Sequence, residues 1–168
     1  GWKAGAVTLL GDCFKCVAAV VVVHLIYGKT HTDMMPLLSM YAGMGAVLGH
    51  NYPFYLKFKG GKGIAVTAAV VMSAANPIMI PIGLAIFVAA VALTRYVSVG
   101  SLLVAWYIPF NTVIFHYHDE KFFHMVFISL LFTMFAYYQH RQNIVRLING
   151  NENKLWKSKS EKEAGANE

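Results

Sequence analysis

The sequence predicts an all-α fold, a polytopic membrane bundle of about six transmembrane or re-entrant helices. Hydrophobic residues make up 57% of the 168 residues and charged residues 13%, about half the charged share of a typical soluble domain. The apolar residues also occur in long continuous runs, which do not alternate as half-buried strands do and exceed the length of a barrel strand. This composition excludes a disordered chain, a collagen and a disulfide scaffold, and it argues against an ordinary soluble enzyme.

Six apolar segments are the candidates for these helices, because a spanning helix needs roughly 20 mostly apolar residues. Their bounds are 4–27, 37–50, 64–74, 77–93, 98–115 and 122–138. The second segment is rich in small residues, and its Gly45 and Gly49 have the four-residue spacing that predicts close helix packing. Residues 1–150 thus form the predicted bundle, and residues 151–168 form a polar cytoplasmic tail that we expect to be disordered.

The loop charges predict the orientation, because cytoplasmic loops of membrane proteins are enriched in Lys and Arg. Of the 14 Lys and Arg residues, only Lys29 and Lys121 fall in the loops of one side, and Lys15 lies within the first segment. The other loops are therefore predicted to be cytoplasmic, together with the C-terminus. Because Gly1 stands at a membrane boundary, we expect a further helix to precede it in the complete protein.

A glycine-rich loop between the second and third segments is a candidate phosphate site. Residues 58–63 read Phe-Lys-Gly-Gly-Lys-Gly, and a predicted helix follows them. Glycines let consecutive N–H groups point outward, while the helix N-terminus and Lys62 add positive charge. The loop is not a Walker A motif, because Leu56 stands where the first glycine belongs and Gly63 where Ser or Thr belongs. A flexible basic turn at the lipid headgroups is the alternative.

The first segment carries an ionisable pair, Asp12 and Lys15, three residues apart on one helical face. Charged groups at membrane depth are costly and usually face a polar interior. The pair could orient a site or could be a purely structural ion pair, and the sequence leaves both open.

Residues 95–101, at the start of the fifth segment, could bind an anion. Arg95 could contact a phosphate, and the hydroxyls of Ser98 and Ser101 could donate hydrogen bonds to it. The alternative is a helix cap by Ser98 beside an arginine whose charged end reaches the membrane interface.

Residues 140–146 follow the sixth segment and include candidates for proton transfer. If they are helical, His140 and Asn143 share one face, and Gln142 and Arg146 share another. His140 could act as a general base, and Asn143 could position a substrate hydroxyl or an oxyanion. A basic amphipathic helix resting on anionic lipid is the alternative.

On the opposite side of the membrane, His116 and His118 are of a residue type that binds metals. They stand beside Asp119 and Glu120 in a short polar loop, and a solvated loop is the favoured interpretation. We expect neither a metal nor a cofactor.

The common location of the candidate residues on the predicted cytoplasmic side supports a functional role for them. They come from separate segments and are Lys62, Arg95, Ser98, His140, Asn143 and Arg146. Together they predict a basic, hydroxyl-bearing site beside the bilayer, suited to an anionic headgroup joined to an apolar tail. A small transporter or channel for an anionic solute is the main alternative, although the polar residues crowd one face instead of the midplane. A non-catalytic membrane scaffold is a third class.

Four stretches, in order along the chain, resemble the bacterial glycerol-3-phosphate acyltransferases that use acyl phosphate, the PlsY family. They are residues 3–15, with Asp12 and Lys15; residues 49–63, with Gly49, His50, Pro53 and the glycine loop; residues 95–101; and residues 140–154, with His140, Asn143, Gly150 and Glu152. This chain departs from the family at Cys16, where Gly is usual, and at Val66, where Thr is usual. The family also has an N-terminal helix and a Ser-Gly-rich loop ending in Arg ahead of the first of these stretches.

The resemblance implies a seven-helix enzyme of the bacterial inner membrane with a cytoplasmic active site. It would transfer a fatty acyl group from acyl phosphate to glycerol 3-phosphate, giving lysophosphatidic acid and phosphate. This is the first acylation of phospholipid synthesis, and it would need neither an acyl-enzyme nor a metal. The implied partners are the two substrates and membrane lipid, with no nucleic acid.

The resemblance also implies roles for individual residues. Phosphate would be held by Gly60, Gly61, Lys62 and Gly63. Ser98 or Ser101 would bind substrate, and His140 and Asn143 would lie at the reacting centre together with Lys62. We expect His50 and Arg95 to join the phosphate-binding residues, and Asp12, Lys15 and Arg146 to support the site.

Overall fold

The computed structural model describes residues 2–58, 60–63 and 79–156, and the chain in these ranges is helical with no strand. Its α-helices are α1 (Trp2–Tyr27), α2 (Met35–Asn51), α3 (Met79–Thr94), α4 (Val97–Ala105), α5 (Tyr107–Phe115), α6 (Phe122–Gln139) and α7 (Arg141–Ile148). Short 3-10 helices occur at Thr32–Met34 and Phe54–Leu56. The predicted all-α class is confirmed. The predicted segment 64–74 lies outside the described residues, as do the first residues of segment 77–93.

Three stretches are long and apolar enough to cross a bilayer, namely Leu10–Tyr27, Val97–Phe115 and Phe122–Gln139, and a shorter apolar helix covers Ile80–Thr94. Large apolar side chains cover the outside of the bundle; Leu93 and Phe123 are 85% and 84% exposed. On a soluble protein such a surface would be a large exposed apolar patch. Here it is the surface that contacts lipid, so the chain is a multi-pass membrane protein.

The predicted segment 98–115 is broken into two helices at Trp106. In a continuous helix the carbonyl of Ala105 would accept from the N–H of residue 109, but that residue is Pro109, which has no N–H. The hydroxyl of Thr133 on α6 donates to the Ala105 carbonyl instead, at 2.8 Å. An unpaired backbone carbonyl inside a bilayer is costly, so this bond stabilises the interruption of the helix at Trp106.

Helices α3 and α4 pack closely because Gly100 has no side chain. A Cβ atom at Gly100 would lie 2.9 Å from atoms of Phe87 and Val91 on α3. The predicted close packing at Gly45 and Gly49 is wrong for the part of the chain that the structure describes, because a Cβ at either position would meet no atom within 4 Å. These two glycines lie on the exposed side of α2.

The loops fall at two ends of the bundle. At one end, Lys121 Nζ lies 3.4 Å from Asp33 Oδ2 and joins the loop before α6 to the turn before α2. The glycine loop follows the opposite end of α2, about 25 Å away at 1.5 Å per residue. Residues 95–96 and α7 lie at that same end, because the backbone N–H of Leu155 donates to the carbonyl of Arg95 at 2.8 Å.

Residues 150–156 form what we call the strap, which crosses this end of the bundle after α7. Gly150 begins it with a φ of 71°, a conformation that favours glycine. The side chain of Glu152 is only 6% exposed, and Leu155 is bound to Arg95. The first residues of the predicted polar tail are thus packed against the bundle. Residues 157–168 lie outside the described residues, and a disordered tail there stays a prediction.

Candidate active site

A cavity of about 1130 Å³ lies at the end of the bundle that carries the glycine loop and the strap. Most of its lining falls into three groups, and Thr8 of α1 and the residues Asn153, Lys154 and Leu155 complete it. The first wall comprises Asp12, His50, Gly61, Lys62 and Gly63. The second wall comprises Ser98, Ser101, His140, Asn143, Arg146 and Glu152. The apolar groove comprises Ile80, Gly83, Leu84, Phe87, Val97, Val104 and Tyr107.

The first wall is supported by a triangle of ionisable groups from α1 and α2. Lys15 Nζ lies 2.7 Å from Asp12 Oδ1 and 2.7 Å from His50 Nδ1. Asp12 Oδ1 and His50 Nδ1 are 3.1 Å apart. Asp12 and His50 line the cavity, whereas Lys15 lies behind them. The expected pairing of Asp12 with Lys15 is therefore present, and it extends to His50.

The glycine loop folds back onto the end of α2. The N–H of Gly61 donates to the carbonyl of His50 at 3.3 Å, and that of Gly60 donates to the carbonyl of Asn51 at 3.1 Å. A side chain at Gly61 would overlap the ring of His50, and one at Gly60 would overlap the carbonyl of His50. Close approach thus requires glycine at both positions.

This geometry corrects one part of the predicted phosphate cradle. The N–H groups of Gly60 and Gly61 are already bonded to α2, so they do not point outward toward an anion. The loop presents Lys62 and Gly63 to the cavity instead. The helix expected to follow the loop begins beyond Gly63 and lies outside the described residues.

The second wall is organised around the carboxylate of Glu152. Asn143 Nδ2 donates to Oε1 at 2.7 Å, and Ser98 Oγ donates to the same oxygen at 3.2 Å. Arg146 Nε donates to Oε2 at 2.8 Å. One carboxylate therefore joins α4, α7 and the strap, and charge-assisted bonds of this kind are stronger than neutral ones.

These bonds also set the charge state of Glu152. Burial alone would raise the pKa of the Glu152 carboxyl, but the hydrogen bonds from Asn143, Arg146 and Ser98 and the charge of Arg146 outweigh it and hold the pKa below its usual range. Burial lowers the pKa of Lys62, with Arg146 acting in the same direction, whereas the nearby Glu152 carboxylate opposes this by favouring the ammonium form. Lys62, Arg146 and Glu152 are thus in electrostatic contact within the cavity.

His140 stands at the junction of α6 and α7 and is 2% exposed. Its Nδ1 lies 2.8 Å from the carbonyl of Ala136, which assigns the ring proton to Nδ1 and leaves Nε2 as an acceptor. Burial lowers the pKa of His140, and the charge of Lys62 lowers it further, against the opposing effects of the Ala136 bond and Glu152. His140 is therefore neutral at neutral pH, the state that a general base requires.

The structure brings most of the expected site residues to this one cavity. Those that line it are Asp12, His50, Gly61, Lys62, Gly63, Ser98, Ser101, His140, Asn143 and Arg146. Gly60, Lys15 and Arg95 are not among the lining residues. Gly60 is bonded to the end of α2, and Lys15 contacts Asp12 and His50 of the first wall. The backbone of Arg95 holds the strap and has a left-handed φ of 66°, which is uncommon for a residue other than glycine.

The sequence analysis did not assign Glu152 to the site. The only signal for it was its place in the stretch 140–154 that resembles the family. The helical-face argument also separated Arg146 from Asn143, yet both side chains reach Glu152. Positions three apart on a helix are neighbours, and the side chain of Arg146 bends toward the carboxylate that they share.

In residues 2–58, 60–63 and 79–156, no three His, Cys, Asp or Glu side chains come together in a way that could hold a metal ion. This includes His116 and His118. Whether the reaction needs a metal or a cofactor is not decided by this finding, and their expected absence stays a prediction.

The fold and the cavity together define a class of protein, a multi-pass helical membrane protein in which a basic polar site adjoins an apolar groove. Comparison with known proteins identifies the family. The sequence model of the family described as "Glycerol-3-phosphate acyltransferase" matches residues 1–150. The chain belongs to this family, and it is a membrane acyltransferase of phospholipid synthesis.

Individual relatives agree with this assignment. A glycerol-3-phosphate acyltransferase of Thermoanaerobacter sp. (strain X514) is 39% identical over 155 residues, which cover 92% of this chain and 72% of the relative. The Bacillus subtilis enzyme is 38% identical, over 92% of this chain and 74% of its own. Two crystal structures of PlsY, an integral membrane glycerol 3-phosphate acyltransferase, each match with a TM-score of 0.73.

The two crystal structures differ in what they contain. One is described as the glycerol 3-phosphate form; it is 26% identical and covers 90% of this chain and 71% of that protein. The other is described as the lysophosphatidic acid form; it is 28% identical and covers 92% of this chain and 74% of that protein.

Proposed function

We propose that this chain transfers a fatty acyl group from acyl phosphate to glycerol 3-phosphate, giving lysophosphatidic acid and inorganic phosphate. The observation that carries the proposal is the cavity, in which Lys62, His140 and Asn143 lie beside an apolar groove. The polar end suits two phosphate-bearing substrates, and the groove suits an acyl chain. The ligand-bound forms of the related PlsY structures support the same acceptor and product.

The charges of the site fit the electrostatic problem of this reaction. Two phosphates must come close together, and each repels the other, so cations are needed between them. Lys62 from the first wall and Arg146 from the second can offset this repulsion. Ser98 or Ser101 would donate to a phosphate oxygen, and His50 and Gly63 would border the phosphate held by Lys62. Arg95 would act from the rim, where its backbone already holds the strap.

The chemistry needs no covalent intermediate on the protein. A hydroxyl oxygen of glycerol 3-phosphate attacks the carbonyl carbon of acyl phosphate, and the bond from that carbon to the bridging phosphate oxygen breaks. Inorganic phosphate leaves with the bonding electrons. The hydroxyl proton passes to Nε2 of His140 or to the phosphate of a substrate. Asn143 would position the hydroxyl, and alignment of the reactants could supply up to about 7–11 kcal/mol of the barrier reduction.

We further propose that the site opens to the cytoplasm in the bacterial inner membrane. The glycine loop, residues 95–96, α7 and the strap lie at one end of the bundle, and their described residues include Lys62, Arg95, Arg141, Arg146 and Lys154. Only Lys29 and Lys121 belong to loops at the other end. The excess of Lys and Arg in cytoplasmic loops supports this orientation.

The test is release of inorganic phosphate from palmitoyl phosphate, dependent on glycerol 3-phosphate, by the full-length protein in detergent micelles. We expect Lys62→Ala and His140→Ala to lose the reaction while eluting from size exclusion as the wild type does. Lys57→Gln and Arg141→Gln are matched controls, because each removes a cation near one of these residues without touching the cavity. They should retain full rates.

Two results would overturn the proposal. Full activity of both Lys62→Ala and His140→Ala would remove these residues from the reacting centre. Uptake of glycerol 3-phosphate into sealed vesicles, without phosphate release from palmitoyl phosphate, would instead favour the transporter alternative.

A further inference from the structure

The apolar groove contains an aromatic side chain, Tyr107, that packs against Gly83. Along the chain the cavity is lined by Ser98, Ser101, Val104 and Tyr107, one residue in every three. Ser98 lies in the second wall, and Tyr107 is the lining residue farthest from it on this part of the chain. A Cβ at Gly83 would lie 3.3 Å from the ring of Tyr107, so the ring rests directly on α3.

The broken helix fixes the position of Tyr107. Pro109 leaves the carbonyl of Ala105 to Thr133, and Tyr107 begins α5 directly after Trp106. The indole Nε1 of Trp106 donates to the hydroxyl of Tyr137 at 3.1 Å, which anchors this residue to α6. Tyr107 is only 6% exposed, and its hydroxyl is hydrogen-bonded to the backbone of Gly83. The ring is therefore held by its contact with α3 and by the anchoring of the preceding residue to α6.

Tyr107 lies at about the depth of one lipid leaflet. Ser98 and Tyr107 are nine positions apart, which corresponds to about 13.5 Å along a helix axis. Half of the hydrocarbon core of a bilayer is about 15 Å. Ile80, three residues before Gly83 on α3, also lines the cavity, so the groove passes alongside the ring of Tyr107.

We infer that Tyr107, seated on Gly83, sets the length of acyl chain that the enzyme prefers. The inference rests on the proposed acyl transfer and adds a specificity-determining residue to it. An acyl chain that is shorter than the groove leaves apolar surface unfilled, and one that reaches Tyr107 must bend or displace the ring. Each methylene that gains or loses burial is worth about 0.8 kcal/mol, or on the order of four-fold in kcat/KM.

The experiment measures kcat/KM for octanoyl, decanoyl, lauroyl, myristoyl and palmitoyl phosphate with the wild type and four variants. We expect the wild type to show a maximum within the series. Tyr107→Ala and the milder Tyr107→Leu should move that maximum to longer chains. Gly83→Ala should move it to shorter chains, because the added methyl group pushes the ring toward the groove. Phe110→Ala removes a lipid-facing ring from the same helix and should leave the maximum in place.

The comparison between chain lengths is internal to each variant, so a partly unfolded preparation lowers all five rates without moving the maximum. If Tyr107→Ala does not fold, Tyr107→Leu and Gly83→Ala still test the inference in opposite directions. Unchanged maxima in active Tyr107 and Gly83 variants would overturn it while leaving acyl transfer intact. A wild type that releases no phosphate from any of the five donors would overturn the proposed function, and the length preference with it.

Discussion

The two walls of the cavity are built in different ways. The ionisable groups that support the first wall are partly exposed: the side chain of Lys15 is 41% exposed, that of Asp12 17% and that of His50 15%. In the second wall, Arg146 is 40% exposed, but the groups that it joins are buried, with Glu152 6% exposed, His140 2% and Asn143 4%. The first wall is also held by backbone bonds between the glycine loop and α2, whereas the second is held by side chains around one carboxylate.

This difference predicts which kind of substitution each wall tolerates. Exposed ion pairs contribute little because water screens them, while buried charge-assisted bonds contribute more and leave costly unpaired groups when they are broken. The first wall should therefore tolerate the loss of the exposed Lys15 charge, although the reaction needs Lys62, and it should be sensitive to the shape of its backbone. The second wall should be sensitive to the loss of a single polar atom. The following changes test this contrast, from the largest expected effect to the smallest.

Replacing His140 should have the largest effect. His140→Ala removes the proposed general base of the second wall, and we expect kcat to fall about 10²–10⁴-fold. The pH profile identifies the proton acceptor. Because the pKa of His140 is lowered from its ordinary 6.5, the wild-type rate should stay constant as pH falls through 6.5 and decrease only at lower pH, where the ring becomes protonated.

The acidic limb of the pH–rate profile should also depend on Lys62, which belongs to the first wall. Lys62→Met removes a charge that lowers the pKa of His140, so the acidic limb of the residual activity should move to higher pH. If the rate of His140→Gln decreases over the same acidic range as that of the wild type, the hydroxyl proton of glycerol 3-phosphate passes to a substrate phosphate and not to His140. Near wild-type kcat in His140→Ala would contradict the role of this residue altogether.

The backbone of the first wall is tested by Gly61→Ala. The added methyl group overlaps the ring of His50, so the loop and Lys62 must move, and a displacement of about 1 Å can cost on the order of 10²-fold in kcat/KM. Gly45→Ala is the matched control, because its methyl group meets no atom within 4 Å. Equal rates for the two variants would show that the contact between the loop and His50 does not position Lys62.

Neutralising the carboxylate tests the second wall. Glu152→Gln keeps the shape but loses the charge that Arg146 and Asn143 share, and we expect about 1.5–3 kcal/mol less stability by thermal unfolding in detergent. Glu120→Gln, in the loop at the other end of the bundle, should be neutral. A Glu152→Gln protein as stable as the wild type would contradict the proposed organisation of this wall.

The pH dependence of stability should follow from the same residue. The pKa of Glu152 is lowered from its ordinary 4.5 in the folded protein. Its contribution is therefore complete above that value and is lost as pH falls through the lower, folded pKa. The wild type should lose stability over this acidic interval more steeply than Glu152→Gln, as measured by unfolding temperature at a series of pH values.

The smallest effect is expected for Lys15→Met. This variant removes the most exposed member of the triangle, and the loss should stay below about 1 kcal/mol because solvent already screens the pair. We expect a modest rise in KM for glycerol 3-phosphate with kcat nearly unchanged, since Asp12 and His50 remain in contact. Lys29→Met serves as the control for loss of a cation elsewhere. A kcat loss as large as that of His140→Ala would show that the two walls do not differ.

Much of the fold could be predicted from the sequence, because helix length and hydropathy report directly on the membrane. Segments 4–27, 37–50 and 122–138 differ from α1, α2 and α6 by two residues or fewer at each end. The break at Trp106 was missed because hydropathy does not register a single missing N–H. Its repair depends on Thr133, which is distant in sequence and adjacent only after folding.

The same limit applies to the site. Residues such as Lys62 and His140 could be selected because glycines, charge and a titratable ring mark them within a few positions. Glu152 carries no comparable local signal, since it follows the last helix in a polar stretch. Its role depends on Ser98, 54 positions away, and only the folded chain brings the two together.

The strap has a consequence for biosynthesis. It follows every described helix, and chains are made from the N-terminus. Ser98 is made 54 positions before Glu152, so α4 leaves the ribosome before the carboxylate that binds it. The nascent bundle can therefore occupy the bilayer before its second wall is complete, and we expect acylation to begin only after Glu152 has emerged.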